Sequence, residues 1–263
     1  MSDDSSNQDP KWASVPLNND WLLPTNQVHI WRSTLELPVH QINNLKHLLS
    51  PDELEKATHL ALTQKRHQYI IARAILRRIL SLYVSLHPSE LRFRYNRNGK
   101  PVLACSPNKI QFNVSHSHNL AIYALSSDCL IGVDVEYLYR RSRIDRMKIA
   151  SRLFTPREYT TLQSLPENQR DKAFLTCWTR KEAFIKAMGW GLSFPLDKFE
   201  VTADPNESPK LLNIPYKPKD ALDWSMVPID PSDGYVGTLA LRKTNFDLSY
   251  WQWNHNFIEE IYK

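Results

Sequence analysis

The chain contains few glycines, six in 263 residues, and this scarcity excludes the common glycine-rich phosphate loops. A P-loop and a dinucleotide-binding fingerprint each need closely spaced glycines at fixed positions. No segment of the sequence has either spacing. A phosphate ligand would therefore have to be held by other groups.

Cysteine is also scarce. The three cysteines, Cys105, Cys129 and Cys177, are odd in number and include no Cys-x-x-Cys pair. This pattern argues against a disulfide framework and against a structural zinc site. It is typical of a protein from a reducing compartment.

Long apolar runs are missing as well, since no stretch approaches the roughly 18 apolar residues of a membrane span. The first 20 residues are polar and acidic, whereas a secretory signal is basic and then apolar. We therefore expect a soluble cytoplasmic protein without a membrane partner, and we expect residues 1–20 to be loosely ordered.

The remaining composition is that of an ordinary globular protein, with 42% hydrophobic and 23% charged residues. The net charge is +5 and the pI is near 9.0. A moderate positive charge favours an anionic ligand or an acidic protein partner. It is too small to indicate nucleic acid by itself.

Helix and strand signals alternate in a similar order in the two halves of the chain. Residues 63–84 predict a long amphipathic helix, and capping boxes start helices at Ser50 and Thr155. Asn98-Gly99 predicts the turn of a hairpin over residues 91–103. Further strands are predicted at 29–37, within 110–126, and at 129–138, 222–229, 234–242 and 246–253, with a basic helix at 140–154. We predict an α+β protein of two similar α/β subdomains, 21–125 and 126–263, related by a pseudo-twofold axis.

The segment "IGVDVE" places Asp134 and Glu136 two residues apart on a predicted strand, so both carboxylates share one face. Val133 and Val135 then point into the core. Two adjacent carboxylates favour Mg²⁺ or Mn²⁺ between them. The alternative is a solvent-facing edge of a sheet.

The segment 177–199 predicts a helix with Trp178, Glu182 and Lys186 on one stripe, ended by Gly189 and Gly191. A solvated Glu–Lys pair would explain the spacing. A glutamate and lysine at a metal-bound phosphate is the alternative.

The segment "FNVSHS" cannot supply a nucleophile and its base from Ser115 and His116, because neighbouring strand residues face opposite ways. His116 and His118 share a face, but no further ligands lie at zinc-like spacing. An anion site fits better, since a hydroxyl, a backbone N–H and an imidazole can all donate to phosphate. A hydrogen-bonded histidine between the two subdomains is the alternative.

Four segments in this order resemble the Sfp-type 4′-phosphopantetheinyl transferases: "NGKPVL", "FNVSHS", "IGVDVE" and "WTRKEAFIKAMGWGL". The resemblance covers about residues 48–201. It implies an enzyme that transfers the phosphopantetheinyl arm of coenzyme A to a serine of an apo acyl or peptidyl carrier protein, releasing 3′,5′-ADP. It also implies a monomer with the ligand cleft between its two halves, serving carriers of fatty-acid, polyketide or nonribosomal peptide synthesis.

By this resemblance, Asp134, Glu136 and Glu182 hold Mg²⁺ (or Mn²⁺), and Glu182 is the general base for the carrier serine. Lys186 neutralises the diphosphate of coenzyme A and assists departure of the bridging oxygen. Trp178 packs the helix.

The resemblance also assigns a coenzyme A site. Lys56 lies where the family places a cation for the 3′-phosphate, but a second cation expected three residues earlier is Glu53 here, so Arg66 or Arg73 could substitute. The remaining residues expected to contact coenzyme A are Asn98, Gly99, Lys100, Pro101, Asn113, Ser115, His116 and Lys186.

Two rival functions stay open at this point. The first is a metal-dependent nuclease or phosphodiesterase that uses the acidic residues and a lysine. The second is a non-catalytic basic module that binds an acidic protein through the arginines of residues 66–78.

Overall fold

The computed structural model describes residues 12–14, 21–104, 110–139, 144–191, 193–214 and 218–255, and its elements repeat in the same order in two halves. The first half contains β2 (Gln27–Thr34), α1 (Val39–Leu45), α2 (Pro51–Thr58), α3 (Thr63–Val84), β3 (Phe93–Tyr95), β4 (Pro101–Leu103), β5 (Gln111–Ser117) and β6 (Leu120–Ser126). The second half contains β7 (Ile131–Tyr137), α4 (Arg146–Leu153), α5 (Pro156–Ser164), α6 (Glu167–Met188), β8 (Glu200–Val201), β9 (Leu211–Asn213), β10 (Ser225–Ile229) and β11 (Tyr235–Leu241). Short 3-10 helices lie at Lys46–Leu48, Pro88–Glu90, Leu196–Lys198 and Pro218–Asp223.

Strand pairing follows the same repeat. In the first half β2 pairs with β6 and β6 with β5, and in the second half β7 pairs with β11 and β11 with β10, all antiparallel. Each half also has a short antiparallel pair, β3 with β4 and β8 with β9. The mixed α/β content expected from the sequence is therefore confirmed. The expected twofold axis and ligand cleft stay predictions.

Two strands from outside the repeat complete the first sheet. β12 (Asp247–Gln252) pairs in parallel with β2, and β1 (Ala13–Ser14) pairs in parallel with β12. The first sheet therefore has the order β1-β12-β2-β6-β5, and the second β10-β11-β7. A division of the chain at residue 126 separates the repeats, but the end of the second segment belongs to the first sheet. The expectation for residues 1–20 lies outside the described residues, except that residues 13–14 form β1.

Three apolar clusters hold the layers together. One packs α1–α3 on the first sheet, including Trp31 and Ile75, and another packs α4–α6 on the second, including Phe184. The third lies between the two sheets and contains Val133 and Val135, as the alternation of "IGVDVE" predicts. The layers therefore run helix, sheet, sheet, helix, and the second sheet presents the opposite face of β7 to α6.

Most predicted elements are confirmed, with differences at their ends. Helix α3 has the predicted bounds, and the capping boxes at Ser50 and Thr155 are present. Helix α6 begins at Glu167, earlier than predicted. The predicted helix 140–154 begins only at Arg146, where Asp145 caps it, and residues 140–143 lie outside the described residues.

Two of the cysteines can be placed. Cys129 and Cys177 are buried and free of disulfides, while Cys105 lies outside the described residues. Within the described ranges, no helix is both long and apolar enough to cross a membrane.

Candidate active site

The site is built where α6 crosses β7 at very close range. A Cβ added to Gly132 would lie 2.1 Å from the carbonyl oxygen of Ala183 and 2.3 Å from the amide nitrogen of Ala187. Only glycine lets the two backbones approach this closely. Asp134 and Glu136 follow Gly132 on the same face of the strand, so their carboxylates face the side of α6 that carries Glu182 and Lys186.

Lys186 binds directly to this strand. Its Nζ lies 2.6 Å from Oδ1 of Asp134 and 2.9 Å from Oγ of Ser115. Asp134 is buried, and 27% of the Lys186 side chain is exposed. The sequence alternative of a fully solvated Glu–Lys pair is therefore wrong for Lys186.

Glu182 lies on the same helix one turn before Lys186 and is also buried. Burial, together with the charges of Asp134 and Glu136, raises its pKa to about 7, and the charge of Lys186 opposes this rise. Because both neighbouring carboxylates act on Glu182, the three acidic groups lie within electrostatic reach of one another. A carboxyl with such a pKa can accept or release a proton near neutral pH.

The side chains fit a divalent cation only after a rearrangement. Among the described residues, no three His, Cys, Asp or Glu side chains already form a cluster that could hold a metal. Oδ2 of Asp134, however, is buried and has no hydrogen-bond partner, and its Oδ1 is neutralised by Lys186. Surplus carboxylate charge beside an unsatisfied buried oxygen is suited to Mg²⁺. A cation bound there would replace Lys186 as the neutralising charge on Asp134.

A cavity of about 210 Å³ lies beside these groups, between α6 and the hairpin formed by β3 and β4. Lining residues from the first half are Asn98, Gly99, Lys100, Pro101, Asn113 and Val114, and those from the second are Glu182, Ile185, Lys186, Gly189 and Gly191. The structure therefore brings together most of the residues expected at coenzyme A.

The hairpin is fixed to the end of α6. Gly189 ends the helix in a left-handed conformation, as predicted, and its carbonyl accepts hydrogen bonds of 2.9 Å from both Asn96 and Asn98. Nζ of Lys100 donates to the carbonyls of Ala187, at 2.9 Å, and Ile131, at 3.1 Å. The bonds to Ala187 and Gly189 satisfy carbonyls that a helix end leaves without partners. Burial lowers the pKa of Lys100 to about 8. In this arrangement the Lys100 ammonium holds protein backbone, and its contact with a ligand phosphate stays a prediction.

Side chains of β5 bind the backbone of β7. The N–H of Val133 donates to Asn113 Oδ1 at 2.9 Å. The N–H of Val135 donates to Ser115 Oγ at 3.3 Å. Ser115 Oγ also donates to Asp134 Oδ1 at 2.9 Å. Its hydroxyl is therefore fully used within the protein, and its predicted contact with coenzyme A would require a change of partners.

His116 is exposed, and by strand alternation it lies on the face of β5 opposite Ser115, as predicted. Desolvation lowers the pKa of His116, and the positive charges of Lys186 and Lys65 lower it further. The negative charge of Asp134 opposes this shift. His118 lies in the following turn with φ 51° and stacks on Tyr137, with 4.6 Å between ring centroids. A shared metal site of the two histidines gains no support.

The predicted 3′-phosphate cations lie near α2 and α3. Lys56 is exposed, with Nζ 5.6 Å from the centre of the Tyr69 ring. Glu53 is buried and forms ion pairs with Arg73 and with Arg77, the latter at 2.7 Å. Burial alone would raise the pKa of Glu53, but the two arginines hold it below its ordinary value. Arg73 therefore neutralises Glu53, which weakens its candidacy as a replacement phosphate ligand.

Two charged residues of "WTRKEA" have structural partners that sequence reasoning missed. Nζ of Lys181 lies 2.7 Å from Glu158 in a pair that is almost fully buried, and it donates to two backbone carbonyls. Arg180 donates to the carbonyls of Thr202, Asp204 and Glu207. Helix periodicity could have separated these residues from the Glu182 stripe, because positions 180 and 181 face other directions. Trp178 packs near Phe174, with ring centroids 5.9 Å apart, as predicted.

Two family models match consecutive parts of the chain. A family model described as the N-terminal part of 4′-phosphopantetheinyl transferase matches residues 24–128, and the 4′-phosphopantetheinyl transferase superfamily model matches residues 130–240. The chain is 36% identical over 244 residues to the 4′-phosphopantetheinyl transferase HetI of Nostoc sp., covering 92% of this chain and 98% of that protein. It is 31% identical to the 4′-phosphopantetheinyl transferase Sfp of Bacillus subtilis, covering 64% of this chain and 73% of that protein.

A solved structure is similar over part of the chain. The crystal structure of Thermotoga maritima holo-[acyl-carrier-protein] synthase matches with a TM-score of 0.34 and 21% identity. The match covers 44% of this chain and 65% of that one.

Proposed function

The chain belongs to the Sfp-type 4′-phosphopantetheinyl transferase family and transfers the phosphopantetheinyl group to carrier proteins, and we propose that coenzyme A binds in the cavity between the β3–β4 hairpin and α6. The observation that carries this proposal is the lining of that cavity. Residues of the first half's hairpin and the Glu182–Lys186 turn of the second half border the same space. The Lys186 ammonium group in this lining suits the diphosphate of coenzyme A.

The reaction needs one bond to form and one to break. The carrier serine oxygen attacks the phosphorus that carries the pantetheine arm, and the bridging oxygen leaves with 3′,5′-ADP. Glu182 accepts the serine proton, directly or through a water, which its raised pKa allows near neutral pH.

Lys186 stabilises the charge that grows on the leaving oxygen, because it carries a positive charge and lines the cavity. An interaction that strengthens as charge develops lowers the barrier more than it strengthens substrate binding. His116 would contact a phosphate of coenzyme A from the exposed face of β5.

Asp134, Glu136 and Glu182 would hold a divalent cation, which supplies positive charge to the diphosphate when bound. The same proposal places the enzyme in the cytoplasm as a monomer, acting on acyl or peptidyl carriers. None of the relatives reported above is a nuclease or a non-catalytic binding module.

The test combines apo carrier protein, coenzyme A and Mg²⁺ with the full chain and follows the mass of the intact carrier. We expect a carrier heavier by one phosphopantetheinyl group. Several carriers from fatty-acid, polyketide and peptide-synthetase systems should be tried, because the physiological partner is not specified by the site. No adduct on any of them would contradict the proposal.

Two variants then test the assigned roles. We expect Glu182→Gln to lose turnover and keep coenzyme A affinity, whereas His116→Ala weakens coenzyme A binding measured by calorimetry. His118→Ala, which changes the neighbouring exposed histidine, is the matched control. The reverse pattern would mean that the roles are exchanged.

A further inference from the structure

The contact between β5 and β7 differs from ordinary strand pairing. The two strands belong to different sheets. Alternate side chains of β5 instead accept the backbone N–H groups of alternate residues of β7: Asn113 from Val133, Ser115 from Val135 and Ser117 from Tyr137. Both strands have a side-chain period of two, so this register is maintained along the contact.

The two serines also bind the carboxylates of β7. Ser115 Oγ donates to Asp134 Oδ1, and Ser117 Oγ donates to Glu136 Oε2, each at 2.9 Å. Each hydroxyl thus accepts the N–H of the residue that follows the carboxylate it binds. A hydroxyl that donates to a carboxylate and also accepts from a backbone N–H has little freedom to rotate. The carboxylate oxygen that it binds is therefore fixed relative to the β7 backbone.

We propose that Ser117, with Ser115, is a positioning residue that ties the Glu136 and Asp134 carboxylates to the β7 backbone, so that both stay in place to bind the divalent cation once it replaces Lys186 on Asp134. The proposal rests on the proposed function, because it concerns the same acidic residues. Partners that orient metal ligands typically change metal affinity about 10- to 100-fold when they are removed. Since β5 belongs to the first half and β7 to the second, the metal site would depend on contact between the halves.

The test measures Mn²⁺ binding to the full chain without carrier or coenzyme A, by the electron paramagnetic resonance of free Mn²⁺. We expect Ser117→Ala to weaken Mn²⁺ binding about ten-fold. Ser117→Thr keeps the hydroxyl and should retain most of the affinity. Ser126→Ala is the matched control, because Ser126 is a buried strand serine whose hydroxyl donates to Asp128 instead.

A double-mutant cycle separates positioning from general stability. If Ser117 acts through Glu136, Ser117→Ala should change Mn²⁺ affinity little in a Glu136→Gln background. An equal loss in both backgrounds, or unchanged Mn²⁺ binding by Ser117→Ala, would overturn the proposal. Should Ser117→Ala not fold, Ser117→Cys replaces it, because a thiol fills the space and donates only weakly. Failure of the proposed function would be distinguishable, since the unmodified chain would then give no carrier adduct at any Mg²⁺ concentration.

Discussion

Glu182 occupies a position where ionisation is unfavourable without a compensating cation. The side chain is buried, and the two carboxylates of β7 add like charge. Lys186 offsets only part of the negative charge around Glu182, because its Nζ is already bound to Asp134. At the residue scale, the site is therefore prepared for additional positive charge.

This arrangement predicts how stability varies with pH in metal-free protein. The folded-state pKa of Glu182, about 7, lies above the ordinary value of 4.5. Between these pH values the unfolded chain releases a proton that the folded chain keeps, so stability falls as pH rises. Glu182→Gln removes this dependence. In EDTA, we expect the variant to melt at a similar temperature to the unmodified chain at pH 4 and to be more stable at pH 8, by up to about 3 kcal/mol.

Thermal unfolding followed by circular dichroism at pH 4, 6 and 8 checks the prediction. Glu167→Gln, on the exposed first turn of the same helix, is the control. If the difference in melting temperature between Glu182→Gln and the unmodified chain is the same at all three pH values, Glu182 does not titrate as described.

At the scale of single elements, the crossing of α6 over β7 positions every proposed catalytic group. The faces of α6 are used differently: Lys181 and Arg180 bind structural segments, while Glu182 and Lys186 face the cavity. The glycine in "IGVDVE" therefore matters as much as the acidic residues, because it sets the distance between helix and strand.

Gly132→Ala tests this contact. The added methyl group would meet backbone atoms of Ala183 and Ala187, which cannot move without displacing the helix. We expect a loss of about 3 kcal/mol or more in the free energy of unfolding, measured with urea, together with lost transfer activity. Gly99→Ala is the comparison, since nothing lies within 4 Å of its Cβ and only its φ of +83° is unfavourable. Equal stability of the two variants would contradict the close-approach argument.

Sequence patterns predict the parts of the site whose residues lie close together in the chain. Strand alternation placed Asp134 and Glu136 on one face, and helix spacing and glycine placed Glu182, Lys186 and the end of α6. The patterns could not show that Ser117 meets Glu136 or that Glu53 pairs with Arg73 and Arg77, because these contacts join segments that are distant in the chain. A glutamate at a capping position looks solvent-exposed in sequence, and only tertiary packing shows its burial.

At the scale of the whole molecule, two repeats are joined face to face, and β12 crosses back to the first sheet. Trp253, directly after β12, is buried in the core of the first half, with its ring centroid 6.0 Å from that of Trp31. A boundary at residue 126 therefore describes the repeats and not two independent folding units. Parallel pairing of β12 with β2 joins segments that are far apart in the chain, so local sequence patterns do not predict it.

Trp253→Ala tests this dependence. Removing a large buried side chain should lower the free energy of unfolding by about 3 kcal/mol or more, although the residue lies near the end of the chain. Leu222→Ala, at a side chain that is 80% exposed, is the control and should change stability little. Urea denaturation followed by circular dichroism checks both variants. A neutral Trp253→Ala would show that the first half forms its core without the last strand.

The pairing of β1 with β12 has a practical consequence for engineering. Ala13 lies opposite Trp251, so the described beginning and end of the chain are neighbours on one edge of the first sheet. In a chain shortened to the described residues 12–255, a peptide linker could join residues 12 and 255, and new termini could then be opened in the connection between β6 and β7. Such a circular permutant would exchange the order of the repeats while leaving the Glu182 cavity in place.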